Sequence, residues 1–133
     1  MDFNSSAALP SIAGPICVVD DDLSMLKALG RLLSSVGFQA QLFPEPLRFL
    51  SYARSNSVAL AVIDIWMPGV SGLEVQKELQ AVSPKSRVII ITANDDDTAR
   101  NLAMRSGAIA FFVKPFDYEI FLAAVNQAMG LET

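Results

Sequence analysis

The sequence predicts an α/β fold: a doubly wound, five-stranded parallel sheet covered by five helices in a three-layer sandwich. Five short apolar runs, Ile16–Val19, Ala40–Phe43, Leu60–Ile63, Val88–Ile91 and Ala110–Val113, are separated by stretches in which apolar residues return at helical spacing. This alternation is what a parallel sheet demands, because each crossover between parallel strands needs a helix. The runs are apolar almost throughout, as in strands buried on both faces. At 133 residues, the chain is long enough to build one core and too short for two of ordinary size.

Each element has its own signal. Residues 1–14 (MDFNSSAALPSIAG) are small, polar and punctuated by Pro and Gly, and carry no period that could bury a face, so they are expected to form a flexible tail ahead of a domain spanning 15–131. After the first run, Leu26, Leu29, Leu33 and Val36 mark the first helix and Gly37 stops it. Pro46 suits the first position of the second helix, whose apolar face is Leu47, Leu50 and Ala53. Leu73, Gln76, Leu79 and Val82 mark the third, closed by Ser83-Pro84, and Thr98 to Ser106, ended by Gly107, is the fourth. Asp117 caps the fifth, in which Ile120, Leu122, Ala124, Val125 and Ala128 supply the buried side.

Composition narrows the function. Ten Lys plus Arg against fourteen Asp plus Glu give a net charge of −4, the wrong sign for a surface that tracks nucleic-acid phosphates. No apolar run approaches the roughly 20 residues of a membrane span, and no basic segment followed by an apolar core opens the chain, so a cytoplasmic location is expected. Cys17, the one cysteine, lies inside an apolar run and reads as an inert core thiol. The chain has no His, which removes the commonest general base and neutral metal ligand. A metal site here must be built from oxygen.

In an open parallel sheet the carboxyl ends of the strands form the site, so the polar residues that follow each run should meet. The first run ends in Asp20-Asp21-Asp22, the third in Asp64, the fourth in Thr92 and the fifth in Lys114-Pro115. Converging carboxylates without His or Cys suit Mg²⁺. A carboxylate beside such an ion can attack phosphorus, and an ammonium and a hydroxyl can stabilise the charge that develops. Asp22 and the run Asp95-Asp96-Asp97 precede helices, where an Asp satisfies free N–H groups, and they are read as caps. Trp66 reads as a large loop residue, and Phe111 and Phe112 point to opposite faces of the sheet.

Val19-Asp20-Asp21, Asp64-Ile65-Trp66-Met67-Pro68-Gly69 with Gly72 beyond, Thr92-Ala93 and Lys114-Pro115-Phe116 together closely resemble the receiver domain of bacterial two-component response regulators. The match runs from about Ile16 to Met129 and implies a flavodoxin-like sandwich. The resemblance implies that Asp64 is the phosphoacceptor, supplied by a sensor histidine kinase or a phosphotransfer protein. It also implies that Asp21, Asp64 and the Trp66 carbonyl ligate Mg²⁺, with Asp20 acting chiefly through water. Lys114 would pair with the phosphoryl oxygens, its ammonium aimed into the acidic site by a cis Lys114–Pro115 bond. Thr92 would take one phosphoryl oxygen and Phe111 would be the aromatic switch, altering the face of the fourth helix, fifth strand and fifth helix. That change would govern an output partner, an effector domain or a homodimer formed on phosphorylation. Trp66 and Asn94 fall where the resemblance implies control of phosphoryl lifetime.

Two other readings start from the same sheet. A phosphatase of the haloacid dehalogenase type also uses an aspartyl nucleophile, and Asp20-x-Asp22 imitates its first motif. That family calls for an acidic pair after its Lys, where only Asp117 and Glu119 follow Lys114, and it leaves Asp64 and the Met-Pro-Gly turn without a role. A flavodoxin-like cofactor domain needs a Gly- and hydroxyl-rich phosphate loop after the first strand, where three Asp residues would repel a phosphate. A receiver-like domain that never phosphorylates would lack one of the key residues, and none is missing. The last helix ends close to Thr133, which fits either a single-domain regulator or the amino-terminal part of a longer protein.

Overall fold

A computed structural model describes residues 15–131, so the tail expected over residues 1–14 lies outside the described residues. Five strands form one parallel sheet: β1 (Ile16–Val19), β2 (Ala40–Phe43), β3 (Leu60–Asp64), β4 (Arg87–Thr92) and β5 (Ala110–Val113). Their order is β2-β1-β3-β4-β5. Ile16 lies opposite both Ala40 and Leu60, Leu60 opposite Arg87, and Ile89 opposite Ala110. The sequence expectation for β3 and β4 stopped one residue short of Asp64 and Thr92. Both polar residues are still in the ladder, which is held by backbone groups whatever the side chain.

The helices are α1 (Leu23–Ser35), α2 (Pro46–Ser55), α3 (Gly72–Val82), α4 (Asp97–Arg105) and α5 (Tyr118–Ala128). Side-chain alternation along the strands divides the core in two. Cys17, Val19, Ala61, Ile63, Val88 and Ile90 pack with α2, α3 and α4, whereas Ile16, Val18, Leu60, Val62, Ile89 and Ile91 pack with α1 and α5. The central strands β1 and β3 are buried throughout, and the edge strands β2 and β5 only in part.

Several expected core positions are exposed instead. In α2, Leu47 is exposed, and Phe49 is buried in its place, edge-on to Phe43 at 5.5 Å. In α5, Ile120 is exposed and Phe121 is buried among Phe112 and Phe116. Val36 and Val82 end their helices and are exposed. Gln76, expected on the inner side of α3, is fully buried, and its Nε2 donates to the carbonyl of Ala103 in α4 at 3.0 Å.

The caps match the acidic residues that precede the helices. Asp22 accepts from Ser24 and Met25, Asp96 from Thr98 and Ala99, and Asp117 from Glu119 and Ile120. Asp95 departs from the cap reading: its carboxylate pairs with Arg100 at 3.0 Å. Ser71 and Glu74 form a reciprocal capping box at the start of α3, a Ser-x-x-Glu pattern readable from sequence. Cys17 is fully buried, and burial pushes its thiol up to about 12.

Candidate functional site

The site follows from strand register. Val19 of β1 lies opposite Ile63 of β3, so the residues that come next, Asp20 and Asp64, emerge side by side at the carboxyl edge of the sheet. Asp20 is fully buried, and its Oδ1 accepts the backbone N–H of Asp22 at 3.0 Å. Asp64 is buried as well, and Asp21 is exposed above them. One carboxylate oxygen from each of Asp20, Asp21 and Asp64 lies within 4.8 Å of the others.

Lys114 reaches the same point from beyond β5. Its backbone N–H donates to the Thr92 carbonyl at 2.7 Å, which seats it at the end of β4, and the Lys114–Pro115 bond is cis, as the resemblance implied. Its Nζ donates to Asp20 Oδ2 at 2.8 Å and lies 3.3 Å from Asp64 Oδ1. Thr92 is buried at the end of β4, with its hydroxyl occupied locally. Oγ1 accepts the N–H of Asn94 at 3.0 Å and donates to the Asn94 carbonyl at 3.2 Å.

The loop after Asp64 is set by close backbone approach. Gly72 N–H donates to the Ile65 carbonyl at 2.7 Å, and a Cβ on Gly72 would stand 2.1 Å from the Asp64 carbonyl oxygen. Only Gly fits there. Gly69 turns the loop with φ +86°. Trp66 is half exposed at its rim, and Asn94 is exposed on the loop after Thr92. Phe111 is half-buried on β5 and sits under Arg100 of α4, whose guanidinium carbon is 4.5 Å from the ring centroid. Neither that stack nor the Asp95–Arg100 pair is visible in sequence, because the residues involved have no fixed spacing.

Charge in the site is poorly balanced: three carboxylates face one ammonium. Asp64 is pushed up to about 6, first by burial and then by Asp20, with Lys114 opposing. For Lys114, burial disfavours the charged form, but the Asp20 hydrogen bond and the Asp20 and Asp64 charges outweigh it and the net direction is upward. An excess of buried negative charge on oxygen donors alone fits a hard divalent cation such as Mg²⁺.

The raised Asp64 value carries a prediction. Above pH 6 the folded state holds a carboxylate that the unfolded chain carries more comfortably, and the penalty disappears as pH falls toward the unfolded value near 4. Without metal, lowering the pH from 7.5 to 4 should raise stability through this group by on the order of 2 kcal/mol. Urea midpoints in chelator across that range, compared with Asp64→Asn, check it. An Asp64→Asn protein with an unchanged pH dependence would exclude Asp64 as the source.

The five-stranded order, the acidic cluster and the Lys114 ion pair converge with sequence comparison. Residues 16–126 match the family model of the response regulator receiver domain. The chain belongs to this family. The response regulator protein TodT of Pseudomonas putida is 33% identical over 119 residues, an alignment covering 90% of this receiver domain chain and 52% of TodT. The chain therefore spans about half the length of such relatives. A CheY-like receiver domain protein from Methanospirillum hungatei superposes with a TM-score of 0.82 at 22% identity, covering 86% of this chain and 92% of that one, and shows the fold. The beryllofluoride-activated NtrC4 receiver domain dimer reaches a TM-score of 0.82 at 28% identity, covering 86% of this chain and 95% of the other. The receiver-domain fold is thus supported by family match and structural likeness together. Among the described residues, no helix is long and apolar enough to cross a membrane.

Proposed function

We propose that this receiver domain, within the boundaries 15–131, accepts a phosphoryl group on Asp64 from a sensor histidine kinase or a phosphotransfer protein. The observation that carries the reading is a buried carboxylate, Asp64, packed against Asp20, Asp21 and the Lys114 ammonium at the carboxyl edge of the sheet. Asp21, Asp64 and the Trp66 carbonyl would hold Mg²⁺, with Asp20 acting through water; the ion supplies charge neutralisation between carboxylate and phosphoryl oxygens. An Asp64 oxygen forms a bond to phosphorus as the bond from phosphorus to the donor breaks, and the donor leaves with its electron pair. Asp20 holds Lys114 beside the acceptor, so its ammonium is in place for the incoming oxygens. Thr92 exchanges its bonds to Asn94 for a phosphoryl oxygen, and Phe111 follows it inward.

The surface altered would be that of α4, β5 and α5, where Leu102, Met104, Tyr118 and Ile120 are exposed. An output partner, an effector domain or a second copy of the domain would read it; the dimer of the NtrC4 receiver domain supports the last. The net charge of −4 argues against direct nucleic-acid binding by this chain, and a cytoplasmic setting fits a kinase-fed switch. The domain acts as a phosphoacceptor that promotes its own phosphorylation and dephosphorylation, and turns over no separate substrate.

Incubation with acetyl phosphate and Mg²⁺ should add one hydroxylamine-labile phosphoryl group per chain, mapped to the peptide containing Asp64 by mass spectrometry. A label on another residue, or none, sinks the reading. Steady release of p-nitrophenol from p-nitrophenyl phosphate would favour the phosphatase alternative instead.

A further inference from the structure

α4 buries fewer residues than any other helix of the domain. It buries only Ala99 and Ala103, while Leu102 and Met104 on it are exposed. Its carboxyl-terminal half is tied to α3: Gln76 donates to the Ala103 carbonyl at 3.0 Å and the Gln80 amide to that of Ser106. Its amino-terminal half has no comparable tie to α3 among the described hydrogen bonds; there Ala99 is buried in the core and Arg100 reaches across to β5. The guanidinium lies over the Phe111 ring at 4.5 Å, and Nη2 donates to Asp95 Oδ1 at 3.0 Å. Asp95 directly follows Asn94, whose backbone N–H and carbonyl are both held by the Thr92 hydroxyl.

These contacts form one chain: Thr92 hydroxyl to Asn94 backbone, Asp95 carboxylate to Arg100, Arg100 to the face of Phe111. We propose that Arg100 is a latch that holds Phe111 half-buried and the first turns of α4 against β5 until Thr92 lets go of Asn94. The inference rests on the phosphoacceptor reading above and adds the residue that links its two ends. When Thr92 turns to a phosphoryl oxygen, the turn at Asn94 loses both its hydrogen bonds, Asp95 shifts with it, and the guanidinium is drawn off the ring. Phe111 then turns inward, and α4 pivots about its glutamine-held end. Arg100 is a positioning residue, since it touches neither Asp64 nor the phosphoryl group.

The latch weights the resting arrangement, so removing it should favour the switched one before any phosphoryl arrives. A cation–ring contact of this partly exposed kind shifts an equilibrium by roughly two- to five-fold. The test uses the Mg²⁺-saturated protein labelled with fluorophenylalanine, its Phe111 ¹⁹F resonance assigned through Phe111→Leu. In Arg100→Gln, the unphosphorylated Phe111 resonance should move part of the way to the phosphorylated wild-type position. Phosphorylation by acetyl phosphate should be roughly two- to five-fold faster. Arg100→Lys, which keeps a cation over the ring, should restore most of the wild-type behaviour, and Asp95→Asn should reproduce the Gln variant in weaker form without altering the helix. A wild-type resonance that moves on phosphorylation while both Arg100→Gln and Asp95→Asn leave its resting position and the rate unchanged overturns the latch alone. A wild type that is phosphorylated on Asp64 with no movement of Phe111, or is not phosphorylated there, overturns the switch reading and the latch with it.

Discussion

Replacing Lys114 by Met should destabilise the metal-free protein by about 3 kcal/mol and yet strengthen its hold on Mg²⁺. The ammonium bonds Asp20 at 2.8 Å and approaches Asp64 at 3.3 Å, and both carboxylates are buried. Removing one partner of a buried pair costs more than the pair contributes, because the remaining charge has neither water nor counterion. Met fills most of the volume of the Lys stem, which isolates the charge from the packing. With three carboxylates then unopposed, affinity for Mg²⁺ should rise on the order of tenfold. Phosphorylation should slow on the order of 100-fold, since a preplaced cation for the phosphoryl oxygens is lost. Urea denaturation in chelator, a Mg²⁺ titration followed through Trp66 fluorescence, and labelling by acetyl phosphate measure the three effects. An unchanged urea midpoint together with weaker Mg²⁺ binding would show that Lys114 does not offset the acidic cluster.

Gly72→Ala is expected to cost about 3 kcal/mol although it adds a single methyl group. The new Cβ would meet the Asp64 carbonyl oxygen at 2.1 Å and Ile65 Cα at 2.8 Å, so backbone rather than a flexible side chain has to yield. That backbone carries the carboxylate proposed as phosphoacceptor, and a displacement near 1 Å at a reacting group slows chemistry on the order of 100-fold. Gly69→Ala is the control. Gly69 has φ +86° but open space around its Cβ, so it should cost about 1–2 kcal/mol of strain and leave labelling of Asp64 largely intact. Thermal denaturation and acetyl phosphate labelling of both variants would separate close approach from backbone strain. Equal effects in the two would discount the contact with Asp64.

The acidic cluster was legible because its residues end strands, and strands in a parallel sheet end at a common edge. Asp20 and Asp64 needed only the right sheet order to meet. The helix faces were less legible. Leu47 and Phe49 flank the Leu50–Ala53 stripe on opposite sides, and Ile120 and Phe121 are consecutive; in each pair the aromatic member is the buried one. Asp95 looked like one more capping carboxylate, but Asp96 already satisfies the helix N–H groups, which leaves Asp95 for Arg100. The spacing of Gln76 placed it on the inner side of α3, but its partner was hidden, since the acceptor is a backbone carbonyl on another helix.

The lone thiol in the middle of the sheet makes the protein its own stopwatch. Cys17 sits on β1 between Gln41 of β2 and Ala61 of β3, with no exposed surface, and its thiol is pushed up to about 12. Burial both keeps the thiol protonated and puts it out of reach of a reagent. Alkylation therefore waits for the central strands to part, and its rate counts those openings. Whatever binds the closed form at the carboxyl edge slows the clock by the factor by which it stabilises the fold, so one chemical reaction at one atom reads occupancy of a site on the far side of the strand end.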